Sequence, residues 1–498
     1  MILFEAVLRG TGGFLPDNTE RTWGPNYSAP MRETTMMRIR QCLPAFILAA
    51  LLAVVLAPRA QAAEPAVRIA FIDSGISTKH IAQDQVAAGK NYVFPEADTQ
   101  DRIGHGTATA GLVLGAEDHG IIGVCPDALA VPLVVVDAYP SGTIQNGGPA
   151  ALCEAIYDAV DLFDCQIINI SLCTTQDSAE LRAAADYAES RGVILIAAVG
   201  NDGEDGQTYY PAAYETVVAV GSADGDHAAA FSQDGADILA PGTGLLTATN
   251  RNADTPTSVA GTSYSCATIS GICAKILSAY PTMTPAEMRQ CLFGLATDML
   301  EPGFDRRSGW GVVATNLDIP SPYWDVPETL WSRDSILQVS GQGLMNGIGG
   351  GRFAPDDAVT RAMFAAILYR MAETPAVTGQ LGFHDVDAGA YYADAVVWAA
   401  ERQIMEGYGN GLFGPDDPVT REQVVTLFWR YNGRPITEST VLADFADMEE
   451  ISPWATDAFS WAVSLGIVNG PGDGTLVPGG TATRAEIAQL IAAIVAML

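Results

Sequence analysis

Five short apolar runs constrain this chain more than any other feature. Val67–Ile72, Ala130–Val136, Gln166–Ile170, Val193–Ala198 and Val217–Gly221 are rich in Val and Ile and barely alternate. A strand without alternation is covered on both faces, which is the condition of a parallel sheet. Between the runs lie Gly147–Leu162 and Ser178–Arg191, which have the spacing of amphipathic helices. Strand–helix–strand order predicts an α/β fold with a doubly wound, mostly parallel sheet over residues 66–318. Ligands of such sheets sit beyond the carboxyl ends of the strands.

Four polar islands punctuate this region in a fixed order. They are Ile72-Asp73-Ser74-Gly75, Gly104-His105-Gly106-Thr107, Val199-Gly200-Asn201 and Gly261-Thr262-Ser263. Asp73 and Asn201 each follow a predicted strand. Ser263 opens a segment in which Cys266, Ile269, Cys273 and Ile276 recur at three- and four-residue steps, so a helix with one buried face is expected. Taken singly, Asp-Ser-Gly and Gly-Thr-Ser are usually turns. Together they supply what acyl transfer needs: a hydroxyl, a base, a carboxylate to orient the base, and a donor for an oxyanion. Asp, then His, then Ser is also one of the known chain orders for such a triad.

Over residues 67–314 the islands resemble those of the subtilisin-like serine peptidases. Ile168-Asn169-Ile170-Ser171-Leu172, Tyr210-Pro211-Ala212-Ala213, Ala240-Pro241-Gly242 and Gly309-Trp310-Gly311 add to the likeness. The resemblance implies Ser263 as nucleophile, His105 as base and then acid, Asp73 as its orienting partner, and Asn201 as oxyanion donor. It implies that Ser171, Leu172 and Cys173 line the substrate cleft, with Cys173 where glycine is usual. Two departures stand out: Ala108 replaces a customary histidine, and Ala267 a customary proline. The chemistry implied requires no cofactor. No metal ligand is expected, and calcium ligands are not assigned.

Beyond Ala314, Pro320, Pro322 and Pro327 mark a boundary, and the chain then repeats itself. Phe383-His384-Asp385-Val386 recurs as Phe445-Ala446-Asp447-Met448 and earlier as Trp324-Asp325-Val326. Thr420-Arg421 recurs as Thr483-Arg484 and earlier as Thr360-Arg361. Three units are expected over 324–378, 379–440 and 441–498, each a helix, a Gly-rich loop and a helix, so this part is all-α. Thr420 with Gln423, and Thr483 with Glu486, have capping-box spacing, which Met363 breaks in the first unit. Trp398 and Trp461 share a position and are expected in the core. The block resembles a triplet of S-layer homology (SLH) domains, which implies binding to a secondary cell-wall polymer. Arg361, Arg421 and Arg484 would grip its anionic groups, because a guanidinium offers a rigid two-pronged fork. An ion pair with a repeat aspartate is the competing role for each arginine.

Residues 37–62 read as a secretory signal, with Arg38 and Arg40 ahead of the apolar stretch Ala45–Ala57 and Ala60-Gln61-Ala62 as cleavage site. The stretch falls short of the roughly 20 residues that cross a membrane. Residues 1–36 read as an extension ahead of a true start at Met36 or Met37. Only Ala63 to Ala66 then precede the first strand, too few for the inhibitory prodomain that many subtilases carry.

The chain has 26 Lys+Arg against 58 Asp+Glu, a net charge of −32. Such acidity repels nucleic acid and anionic lipid and suits a secreted protein at the cell surface. Of the eight cysteines, Cys42 lies in the signal; the others fall in the α/β region without metal-ligand spacing and read as buried apolar residues. The whole reads as a secreted, wall-anchored endopeptidase acting on polypeptides. The alternatives are a maturation protease for one peptide and a catalytically silent wall-bound scaffold.

Overall fold

The computed structural model describes residues 66–496, apart from 205, 253–254, 301, 317–318, 320–321, 381 and 438–440. The expected signal and the extension ahead of it lie outside the described residues.

The main sheet contains β1 (Arg68–Asp73), β2 (Lys90–Asn91), β3 (Leu129–Val134), β4 (Ile167–Ile170), β5 (Ile194–Ala198), β6 (Val217–Asp224), β7 (His227–Ala228) and β8 (Ile238–Pro241). Its order is β7-β6-β5-β4-β1-β3-β2, with β8 also on β6. Every pairing is parallel except β6 with the short β7. All five expected strands are present. β2 and β8 escaped notice because their apolar runs are shorter than the window that periodicity needs.

Successive residues of β1 feed opposite layers, as the pleat requires. Ile69 and Phe71 pack with α1 (His105–Leu114) and α4 (Thr262–Ala279). Ala70 and Ile72 pack with α2 (Gly148–Asp161) and α3 (Ala179–Ser190). Both faces are therefore dry, which explains the missing alternation. The sheet grows first to one side of β1 (β3) and then to the other (β4). The switch leaves a crevice at the carboxyl ends of β1, β4 and β5, where Asp73, Ser171 and Asn201 lie. α5 (Pro285–Leu295) follows α4, opened by a Thr284–Glu287 capping box.

The repeats supply three helix pairs: α6 (Arg333–Gly341) and α7 (Arg361–Met371), α8 (Ala393–Glu401) and α9 (Arg421–Tyr431), α10 (Thr456–Ser464) and α11 (Arg484–Val495). Each second helix packs on the first helix of another unit: α7 on α8, α9 on α10, and α11 back on α6. The three units thus close a ring around one core, in which Trp398 and Trp461 are buried. Thr420 and Thr483 form full capping boxes. Thr360 accepts from the Met363 N–H, but Met363 has no acceptor to return the bond. α8 ends at Glu401. Gln403 is left-handed (φ 55°), at the place where Gly343 and Gly466 end the other first helices.

Cys125, Cys165, Cys266, Cys273 and Cys291 are buried and Cys153 is half-buried; all are free thiols, as expected of apolar fillers. Cys173 departs from that reading: it is free but exposed.

Candidate active site

Asp73 ends β1 and is 1% exposed. The Ser74 N–H donates to its Oδ1 (2.7 Å), and His105 Nδ1 lies 2.8 and 2.9 Å from its two oxygens. His105 is the first residue of α1. Glycines on both islands allow this approach. A Cβ at Gly106 would stand 2.3 Å from the Gly75 carbonyl oxygen, and Gly75 is itself left-handed (φ 103°). The Asp73 carboxylate raises the His105 pKa above its ordinary value; burial opposes the rise and Asp101 adds to it.

Asp101 was not among the expected site residues. It is 7% exposed, and burial pushes its carboxyl above the usual range. Its oxygens accept from the Ser74 hydroxyl and from the N–H groups of Ile103, Gly104 and Thr107. Ser74 Oγ in turn accepts from the Gly106 N–H at 2.9 Å. The loop that presents His105 is thus tied to the turn that presents Asp73.

Ser263 is the second residue of α4, behind Gly261 as the cap. On one side of it, the Thr262 N–H donates to Asn201 Oδ1 (2.9 Å). On the other, the Tyr264 ring lies 5.6 Å from that of His105. Ser263 therefore sits between the residue that Asn201 holds and the residue that packs on the imidazole. A backbone N–H can only donate, so its bond fixes Asn201 with Nδ2 as the remaining donor. The Ser263 hydroxyl donates to the Ser171 carbonyl oxygen at 3.0 Å, while Ser171 Oγ donates to the Ser263 carbonyl at 3.0 Å. Asn169 Nδ2 donates to Ser171 Oγ, also at 3.0 Å. The crossed pair ties the end of β4 to the start of α4. Ser171 is buried, Leu172 half-buried, and Cys173 exposed beside the bridge between Thr174 and Tyr210.

In the ring of repeats, Asp325, Asp385 and Asp447 do not pair with the three expected arginines. Each accepts two consecutive N–H groups from the loop of its own unit: Phe353 and Ala354, Phe413 and Gly414, Leu476 and Val477. Arg361 donates from Nε to the Phe413 carbonyl (2.8 Å) and from Nη2 to that of Glu406 (2.7 Å). Arg484 does the same to Phe353 and Asn346, each at 2.7 Å. Arg421 instead pairs with Glu486. A groove of about 310 Å³, lined by Asn346, Gly347, Met363, Arg370, Tyr391 and Arg484, opens between units.

A model of the subtilase family matches residues 64–311, and one of the S-layer homology domain matches 322–365, 382–425 and 444–488. The chain is 34% identical over 240 residues to subtilisin DY of Bacillus licheniformis, over 47% of this chain and 84% of that protein. It is 31% identical over 237 residues to a thermostable alkaline protease of Halalkalibacterium halodurans, over 47% of this chain and 63% of that one. The solved structure of the S41 psychrophilic protease matches with a TM-score of 0.45 and 28% identity, over 50% of this chain and 91% of that chain. Among the described residues, no helix is long and apolar enough to cross a membrane.

Proposed function

The chain belongs to the subtilase family of serine endopeptidases, and we propose that its chemistry runs through Asp73, His105, Asn201 and Ser263. The observation that carries this reading is the imidazole held by its Nδ1 on Asp73. Nδ1 then bears the proton, and Nε2 presents the lone pair that a general base needs. In the reaction the Ser263 hydroxyl exchanges the Ser171 carbonyl for Nε2 as its acceptor. Its oxygen attacks the scissile carbonyl as Nε2 takes the proton. The oxyanion is received by Asn201 Nδ2 and the Ser263 N–H; one such donor is worth about 10²–10³ in rate. His105 returns the proton to the leaving amine, and water cleaves the ester with the same base. No step calls for a cofactor. Ser171, Leu172 and Cys173 form one wall of the cleft for an extended polypeptide.

The chain also carries three S-layer homology domains, which tie it to the cell surface. The finer reading is export followed by noncovalent docking on an acidic wall polymer. Guanidinium groups at the grooves between units, that of Arg484 among them, meet its anions. Arg361 and Arg421 occupy the corresponding positions.

A fluorophosphonate probe tests the enzyme. The folded wild-type chain is expected to take the label and Ser263→Ala to refuse it. A folded wild type that stays unlabelled would establish the silent scaffold instead. Co-sedimentation of full-length Ser263→Ala protein with purified walls tests the tether.

A further inference from the structure

Away from the cleft, the described residues bring one set of metal-binding side chains together: His80, Asp118 and His119. One ligand atom from each lies within 4.8 Å of the others. His80 stands on the loop after β1, which ends in Asp73. Asp118 and His119 form a turn soon after α1, which begins with His105. The separation of 38 residues between His80 and Asp118 hides the set from any short motif.

His80 is already held as a metal ligand is held. Its Nε2 lies 2.9 Å from the Arg251 carbonyl oxygen, and its Nδ1 lies 2.6 Å from Asp118 Oδ2. A carbonyl oxygen only accepts, so Nε2 carries a proton. A neutral imidazole would then aim the lone pair of Nδ1 at a carboxylate, which is repulsive. A positive charge has to stand between them. A proton can supply it, but a divalent cation also draws in His119, whose ring stacks on that of His80 at 4.1 Å. A backbone carbonyl on the far nitrogen is the usual device that fixes a ligating histidine.

We propose that His80, Asp118 and His119 bind a divalent transition-metal ion of the zinc type. Two imidazoles and one carboxylate suit Zn²⁺, Co²⁺, Ni²⁺ or Cu²⁺ better than Ca²⁺ or Mg²⁺. Bonds of about 2.0–2.2 Å to a tetrahedral ion put ligand atoms roughly 3.3 Å apart, so small side-chain movements close the site. Asp118 lines an open groove of about 1060 Å³, which gives the ion access and leaves a position for water. Lys79 is the opposing charge nearby, and its ammonium is held on the Asn250 carbonyl at 2.9 Å. The ion would clamp the loop after Asp73 to the turn after the His105 helix. Its role is structural.

The test uses full-length Ser263→Ala protein, which cannot digest itself, stripped with a chelator and titrated with Co²⁺. One equivalent is expected to bind with the visible bands of a tetrahedral nitrogen and oxygen site and no thiolate charge-transfer band. Zn²⁺ should displace it and raise the melting temperature. His119→Ala and the isosteric Asp118→Asn should each weaken Co²⁺ at least tenfold. Unchanged affinity in both variants, with native far-UV dichroism, would overturn the proposal. So would a thiolate band, or tighter binding of Ca²⁺ than of Co²⁺.

Discussion

Replacing Asp101 by asparagine changes one buried atom and is expected to lower both stability and activity. Asp101 Oδ1 accepts from the Ser74 hydroxyl at 2.9 Å, the Ile103 N–H at 2.9 Å and the Gly104 N–H at 2.7 Å. Oδ2 accepts from the Thr107 N–H at 2.8 Å and the Thr107 hydroxyl at 2.6 Å. Asparagine keeps one acceptor and turns an NH₂ toward the other set of donors. The Thr107 hydroxyl can rotate and accept; a backbone N–H cannot. At least one buried N–H is orphaned, at about 1–3 kcal/mol. The bonds that survive lose their charge, and charge-assisted bonds are about twice as strong as neutral ones. Part of the loss is recovered, because burial already disfavours the Asp101 carboxylate. The net destabilisation is about 2 kcal/mol, the size of one buried orphan. Urea denaturation in the Ser263→Ala background reads it directly. In active protein, the acid limb of the kcat/KM profile reads the second effect. His105 must be neutral to act as base, so activity is lost as pH falls through its raised pKa. Asp101 helps to raise that pKa, so Asp101→Asn should move the limb to lower pH. An unchanged urea midpoint together with an unshifted limb would refute the reasoning.

Asp73→Asn removes the largest cause of the raised His105 pKa and allows the wrong tautomer. It is expected to lower kcat by about 10⁴ and to move the remaining acid limb downward, as a pH–rate profile would show. In the repeats, Arg361→Met strips two charge-assisted bonds from the carbonyls of Phe413 and Glu406 and should cost about 3 kcal/mol or more. Arg421→Met breaks a partly exposed pair with Glu486 and should cost about 1 kcal/mol or less. Chemical denaturation of the full Ser263→Ala chain compares them, and equal losses would contradict the difference in their bonding.

The sheet was legible because its strands are covered twice, and a doubly covered strand shows as an unbroken Val/Ile run. The residues proposed for catalysis stand out in the sequence because few residue types do this chemistry and they follow a known order beside strand ends. Asp101 was not legible. The rule for helix starts looks at the residue just before the helix, which here is Gly104 with no side chain to give. Asp101, three residues farther back, takes the Thr107 N–H that a cap side chain would accept. Tyr264 was missed for another reason: an aromatic after a nucleophile carries no signal until the ring is seen against His105.

The repeats show why a signature residue does not announce its partner. Thr-Arg recurs in each unit, yet what each arginine holds depends on which unit follows in space, and the ring closes from the third unit back to the first. Two of the corresponding loops place a non-glycine residue in left-handed backbone. Ala354 (φ 59°), Gly414 (φ 71°) and Val477 (φ 51°) occupy one left-handed position, held on one side by a carboxylate of the same unit. Beside the first two, an arginine of another unit takes the preceding carbonyl. A β-branched residue such as Val477 is poorly suited to that conformation, so the Asp447 clamp matters most in the third unit. Under the proposed docking, folding and wall binding would draw on the same side chains at Arg361 and Arg484. A binding defect at those two counts as recognition only when the ring remains folded. Arg421, whose fork is not fastened to a buried carbonyl in the same way, is the position at which the two roles separate.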